Sequence, residues 1–127
     1  MFKAQHSSTV DINGRAVEVT WTRAAQRSLM QRPGDLYVEL ELYFSCLVKK
    51  FLHFRDVPRG ALPAARVADR LYVYLRPVTS TACSPQEAHA LGRQPEAEIE
   101  APQAMRLAPK KVVIDCRDGV WSGEFFM

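Results

Sequence analysis

Residues 35–55, DLYVELELYFSCLVKKFLHFR, constrain the fold most, because they alternate between two kinds of side chain. The even positions are apolar except for Lys50, whereas the odd positions mix charges, hydroxyls and rings. Successive side chains of a strand point to opposite faces, so the pattern predicts an extended segment with one core face and one mixed face. Strands usually have about 3 to 10 residues. A bend, a bulge or a passage between two sheets is therefore expected at residues 45–50, where Lys49 and Lys50 place charges on both faces.

Two turn dipeptides predict hairpins near the two ends of the chain. Asn13-Gly14 and Asp118-Gly119 each lie between alternating runs. Both dipeptides accept the positive φ angles of a type I′ turn, whose twist matches that of the flanking strands. A further strand is predicted at residues 70–76, RLYVYLR, which Pro77 either ends or marks as an edge.

A first short helix is predicted at residues 22–31, where Ala, Gln, Arg, Leu and Met replace the alternating pattern. Thr22 caps its start, and Pro33-Gly34 ends it. Ala25 and Leu29 are expected to face a sheet.

A second short helix is predicted to start at Pro85. Ser84 stands at the cap position and Glu87 follows three residues later, which completes a capping box around a proline at the first helical position. Gly92 supplies the stop.

Together these elements predict an α+β protein: a single domain over residues 1–127, dominated by a curved antiparallel sheet of five to six strands with two short helices. Residues 57–69 are expected to form an irregular connection. Residues 93–109, which contain three prolines, are expected to form an exposed loop.

Composition fits this class. The chain has 127 residues, of which 47% are hydrophobic and 24% charged, as in an ordinary globular protein. Three cysteines give an odd count that argues against a disulfide framework, and Cys46 and Cys116 fall at apolar positions of predicted strands. The N-terminal residues lack an apolar run of signal-peptide length, and no stretch approaches about 18 consecutive apolar residues. A cytoplasmic protein that does not contact membranes is expected.

The mixed face of the extended segments is the main candidate for a contact surface. If the two strands pair, rings and cations come together in what we call the aromatic-basic surface. It comprises Tyr37, Tyr43, Phe51, His53, Arg70, Tyr72, Tyr74 and Arg76. Large rings on a sheet face that is otherwise solvated need a cover, and a two-fold homodimer would provide it.

The same surface has two other interpretations. Rings and cations bind single-stranded nucleic acids through base stacking and phosphate contacts. However, Glu39 and Glu41 share the face and would repel phosphate, and we interpret them as exposed, solubilising residues. The plain alternative is that aromatic residues are ordinary strand formers whose cross-strand pairs stabilise sheets.

Cys83 is the candidate for a reactive thiol, because it precedes the predicted helix at Pro85. A helix N-terminus lowers the pKa of a nearby thiol, and Thr79, Ser80 and Thr81 could bind an anion there. The plain alternative is a loop cysteine packed against the helix start. No pair of His or Cys residues has metal-ligand spacing and no glycine-rich phosphate loop occurs, so neither a metal nor a cofactor is predicted.

These observations order three hypotheses on function. The first is a non-enzymatic binding or assembly protein that acts as a homodimer through the aromatic-basic surface. The alternative is a small enzyme or ligand-binding protein with a cleft near Cys83 and the helix from Pro85. The third is a binder of single-stranded nucleic acid, which the net charge of +3 permits without demanding it.

Overall fold

The computed structural model describes residues 6–44, 48–59, 63–80, 96–98 and 107–127. Nine strands and one helix lie in these ranges. In chain order they are β1 (His6–Ile12), β2 (Arg15–Trp21), α1 (Arg23–Gln31), β3 (Leu36–Phe44), β4 (Val48–Arg55), β5 (Ala65–Ala68), β6 (Leu71–Ser80), β7 (Glu96–Glu98), β8 (Lys111–Arg117) and β9 (Val120–Phe126).

The strands form two mixed sheets. The first sheet has the order β1-β2-β8-β9, with β2 and β8 parallel. The second has the order β4-β3-β6-β5, with β3 and β6 parallel, and β7 also pairs with β6. The predicted single antiparallel sheet of five to six strands is therefore wrong, and so is the α+β class with two helices, since the described part of the chain is mostly strand with one helix. The second predicted helix, from Pro85, lies outside the described residues.

The alternating segment forms a hairpin instead of one bent strand. β3 and β4 pair antiparallel, with Tyr37 opposite Arg55 and Phe44 opposite Val48. β3 ends at Phe44 and β4 begins at Val48, so the second half of the predicted irregular region at residues 45–50 is regular strand. The apolar alternation holds along β3, whose even positions are buried in the core; these are Leu36, Val38, Leu40 and Leu42.

The two predicted hairpins are confirmed. β1 pairs antiparallel with β2 and β8 pairs antiparallel with β9. Asn13 and Gly14 have φ angles of 53° and 80°, and Asp118 and Gly119 have 52° and 77°, as a type I′ turn requires.

The first predicted helix is also confirmed. Thr22 accepts a hydrogen bond from the Ala25 N–H at 3.1 Å, and Ala25 and Leu29 are buried. The Thr22 hydroxyl donates to Asp115 of β8 at 2.6 Å, which ties the helix start to the centre of the first sheet. In the described ranges, no helix has the length and apolar character needed to cross a membrane.

The two sheets share one core. Side chains from both sheets form a single buried cluster, to which Cys116 belongs as predicted; Cys46 lies outside the described residues. Phe54 of β4 packs on Trp121 of β9 with ring centroids 5.7 Å apart. Because Gly123 has no side chain, Leu52 of the facing sheet approaches its backbone closely.

Three expectations about the connections are wrong. Residues 57–69 contain β5, and residues 93–109 contain β7. The strand at residues 70–76 continues past Pro77 to Ser80. Pro77 lies between the part of β6 that pairs with β5 and the part that pairs with β7, so its missing N–H falls where the strand changes partners.

Candidate functional site

The second sheet carries a cluster of charged side chains on the face opposite the core, which we call the polar face. Glu39 and Glu41 are its centre, and they are 0% and 1% exposed. The strand register places Glu39 between His53 of β4 and Tyr74 of β6. The interpretation of the two glutamates as exposed, solubilising residues is therefore wrong.

Glu39 accepts five hydrogen bonds. Arg55 binds it with both ends of one guanidinium edge, with Nε 3.0 Å from Oε1 and Nη2 3.3 Å from Oε2. Arg59 binds it in the same way at 3.2 and 2.8 Å. The Tyr74 hydroxyl donates to Oε1 at 2.7 Å. Paired contacts of this kind fix both the position and the orientation of the carboxylate.

These contacts determine the protonation of Glu39 and Tyr74. Burial alone would raise the pKa of Glu39, but the hydrogen bonds from Arg55, Tyr74 and Arg59 outweigh it and lower the pKa from 4.5 to about 2. Burial and the bond to Glu39 raise the pKa of Tyr74 from 10.0 to about 12. At neutral pH Glu39 is therefore an anion and Tyr74 a neutral donor.

Glu41 lies among three nitrogen groups, one of which belongs to Arg59. Its Oε1 is 3.2 Å from Nε2 of His53 and 3.3 Å from Nη2 of Arg59. Nη1 of Arg76, a residue that is itself buried, is 3.9 Å from the same oxygen. Arg59 thus bridges both glutamates.

Among the residues that the structure describes, the cluster combines three arginines, Arg55, Arg59 and Arg76, with two glutamates. Oxygens of the two glutamates and a ring nitrogen of His53 lie within 4.8 Å of one another, as in a metal site. A dication would have to displace the two arginines from Glu39. These contacts therefore argue against a metal ion at this cluster.

The aromatic-basic surface comes together in part. β3 and β6 do pair, in parallel, and they bring Tyr37 and Tyr72 into a stacked pair with centroids 4.9 Å apart. Phe51 contacts both Tyr43 and His53, each at 6.4 Å between centroids.

Burial divides the members of this surface. Tyr43, Tyr74 and Arg76 are buried, whereas Phe51 is 42% exposed. Arg70 lies elsewhere: it occupies the turn before β6 at a φ of 67°, and its guanidinium donates to the Arg32 carbonyl. Cys83 lies outside the described residues.

Two residues of the cluster, Arg55 and Arg59, are not among the predicted site residues. Arg55 was detectable, since it is the last odd position of the alternating segment and so shares a face with Glu39. Arg59 was not, because it follows β4 in an irregular stretch with no periodicity. Its backbone N–H donates to the Tyr74 hydroxyl at 2.8 Å, which holds residues 56–59 over the sheet.

An open groove of about 490 Å³ lies beside the cluster. It is lined by consecutive residues from the end of β4 onward: Phe54, Arg55, Asp56, Val57, Pro58 and Arg59. Asp56, the acidic residue of the groove, is bound to Nη2 of Arg32 at 2.6 Å. Arg55 and Arg59 therefore belong both to the groove and to the cluster around Glu39.

Comparisons with protein-family models, curated proteins and solved structures give no match for this chain. The functional argument therefore depends on the geometry of the polar face.

Proposed function

We propose that this is a binding protein whose ligand site is the polar face of the second sheet, including the groove at residues 54–59. The observation that supports this most is the fixed orientation of two arginines by one buried carboxylate. Arg55 and Arg59 are 30% and 38% exposed at their side chains, and both are held by Glu39. The side chains of Arg55 and Arg59 are therefore ordered before a ligand binds, which lowers the entropic cost of binding.

Binding fits the protonation states better than proton transfer does. A general acid or base works best when its pKa is near the ambient pH. The pKa values of Glu39 and Tyr74, about 2 and about 12, lie far from neutrality on both sides. Five donated hydrogen bonds also occupy the lone pairs of Glu39. These two groups act as supports for the arginines.

A thermal-shift screen tests the proposal. The chemical classes are divalent cations, organic anions, nucleotides, single-stranded oligonucleotides and uncharged sugars. Each is added to the wild type, to Arg55→Gln and to Arg117→Gln, a control that removes an exposed arginine from the first sheet. A ligand at about one hundred times its Kd stabilises a protein by about 2.7 kcal/mol, a rise in Tm of several degrees.

We expect at least one class to raise the Tm of the wild type and the control, and to raise that of Arg55→Gln much less, relative to each variant without ligand. The proposal fails if no class stabilises the protein. It also fails if every stabilising compound acts equally on all three proteins, since the site would then lie elsewhere.

Self-association through the same face is the second candidate, and the exposure of Phe51 favours it. Phe51 is 42% exposed on β4, an edge strand whose first residues are all exposed. A homodimer would cover this ring and the half-buried Tyr37–Tyr72 pair. Light scattering after size-exclusion chromatography should then give a dimer that dissociates in Phe51→Ser. A wild type that is monomeric at all concentrations excludes this candidate.

The nucleic-acid hypothesis gains support in one respect. The objection from phosphate repulsion weakens, because Glu39 and Glu41 are buried and bound to arginines. The oligonucleotides of the screen test it, and genuine binding should fall steeply with salt.

A cytoplasmic location, supported by the odd cysteine count, completes the proposal.

A further inference from the structure

We propose that the groove at residues 54–59 binds the oxyanion head, a carboxylate or a phosphate, of a ligand whose body is apolar. This inference rests on the proposed function and specifies its ligand class. It follows from three features of the groove: the orientation of Arg55, the state of its acidic residue, and its apolar walls.

Arg55 presents a second guanidinium edge. Its Nε and Nη2 groups face Glu39, and its Nη1 group donates to no acceptor among the residues that the structure describes. A guanidinium has five N–H groups in a planar fork, so the edge formed by Nη1 and the second Nη2 hydrogen remains suited to a bidentate oxyanion. The bond to Glu39 holds this edge in place, and an arriving oxyanion need not displace Glu39.

The charges along the groove favour an anion. Arg55 and Arg59 both line it, against one acidic residue, Asp56, whose side chain is 90% exposed and bound to Arg32 at 2.6 Å. An oxyanion would therefore be attracted to the groove, whereas a cation would be repelled.

The remaining walls of the groove are apolar. Phe54, Val57 and Pro58 supply them, and Val57 is 70% exposed. Exposed apolar side chains beside fixed cations match a ligand that has a charged head and a hydrocarbon or ring body. Burial of that body would add affinity that inorganic phosphate or acetate cannot gain.

Six small probes with matched bodies test the inference by calorimetry. Phenylacetate and phenyl phosphate carry the two oxyanion heads on a ring. Phenethylammonium and 2-phenylethanol keep the ring with a cationic or neutral head, and acetate and inorganic phosphate keep the head without the ring. We expect one or both of the ring anions to bind at least tenfold tighter than the other four. Comparison of the two ring anions distinguishes a carboxylate ligand from a phosphate ligand.

Variants locate the binding. Arg55→Gln should lower the affinity for the ring anion at least tenfold, Arg55→Lys should lower it less, and Arg117→Gln should leave it unchanged. Val57→Asp is a second test that does not disturb the buried cluster, because Val57 is exposed. The new negative charge should weaken the binding of the ring anion and leave the affinity for 2-phenylethanol unchanged. Methyl resonances of Val57 should shift on addition of the ring anion.

Different failures have different meanings. If 2-phenylethanol or phenethylammonium binds as tightly as the ring anions and shifts Val57, the ligand class is wrong and the proposed function stands. If no ring anion binds at millimolar concentration, the inference is overturned, and the thermal-shift screen decides the proposed function separately. Binding of ring anions that is insensitive to both Arg55→Gln and Val57→Asp overturns the inference as well, since the anion site would then lie outside the groove.

Discussion

Substitution of Glu39 by glutamine is the most direct perturbation of the polar face. Glutamine keeps the shape of the side chain and one carbonyl oxygen, so Tyr74 can still donate to position 39. It removes the negative charge to which Arg55 and Arg59 donate four hydrogen bonds. The substitution therefore tests the charge and changes packing little.

The magnitude follows from the pKa of Glu39 and from the exposure of its partners. The fall in pKa from 4.5 to about 2 corresponds to about 3 kcal/mol of preference for the charged form in the folded state. Removal of one partner from a buried ion pair costs about 3–5 kcal/mol. Arg55 and Arg59 are 30% and 38% exposed, so water replaces part of what they lose. We expect Glu39→Gln to lose about 3 kcal/mol at pH 7, on the order of 10 °C in Tm.

The loss should depend on pH in a definite direction. Because the folded pKa of Glu39 lies below the unfolded one, the unfolded chain binds more protons at this site between the two values. The stabilisation by Glu39 is complete above about pH 4.5 and disappears as the pH falls through about 2. The difference between wild type and Glu39→Gln should therefore shrink from pH 7 toward pH 2.

Urea unfolding followed by tryptophan fluorescence measures both quantities, since Trp21 is buried and Trp121 packs on Phe54 in the core. Glu18→Gln is the matched control: Glu18 lies on a strand of the first sheet and pairs with Lys111 at 3.8 Å, but it is exposed. The control should change stability by less than about 0.5 kcal/mol. A loss below about 1 kcal/mol in Glu39→Gln, or a loss that is unchanged at low pH, would refute the electrostatic account of the cluster.

Three further substitutions test other parts of the structure by the same unfolding assay. Tyr74→Phe removes the hydroxyl that donates to the buried carboxylate and accepts from the loop above it; we expect a loss of about 1–3 kcal/mol, and an unchanged stability would contradict these bonds. Gly123→Ala places a Cβ 2.7 Å from the carbonyl oxygen of Val113 on the neighbouring strand and 3.2 Å from Leu52 of the facing sheet, and should cost about 1–3 kcal/mol. Gly34→Ala meets nothing within 4 Å and should cost much less, and equal effects would argue against the close contacts at Gly123. Thr22→Ala removes the cap of α1 and should cost about 1 kcal/mol, with a gain in stability excluding the capping role.

The local elements were predictable from the sequence because their signals are local. Asn13-Gly14 and Asp118-Gly119 specify hairpins through their own φ preferences. Thr22 specifies a helix start through one hydrogen bond, which its hydroxyl accepts from the N–H of Ala25 three residues later. In each case, the residues that determine the geometry are neighbours in the chain.

The arrangement of the sheets was not predictable in this way. β2 and β8 pair in parallel although about 90 residues separate them, and β3 and β6 pair in parallel across two intervening strands. Two parallel strands are not joined by a tight turn, so no turn dipeptide in the sequence predicts their pairing. The hairpins of this chain favoured an antiparallel interpretation, and that interpretation missed both central pairs.

Only part of the candidate site was predictable from the sequence, for a related reason. Alternation placed Glu39 and Glu41 on one face, but their exposure depends on what covers that face, which period-two patterns do not contain. Arg55 shares their parity and could have been recognised as a partner. Arg59 reaches Glu39 from an irregular stretch, through a bond to Tyr74 that only the folded chain provides.

The composition of the polar face also bears on its purpose. Replacement of a buried ion cluster by apolar residues of similar volume is often neutral or stabilising. The presence of such a cluster is therefore weak evidence that its role is to stabilise the fold. Val38 and Leu40, the chain neighbours of Glu39, show that β3 accommodates apolar side chains on its other face. Glu39 instead orients Arg55 and Arg59 toward a groove open to solvent. A charge arrangement that apolar residues could replace at little cost, but that fixes two cations at a surface, is what a site for an anionic ligand requires.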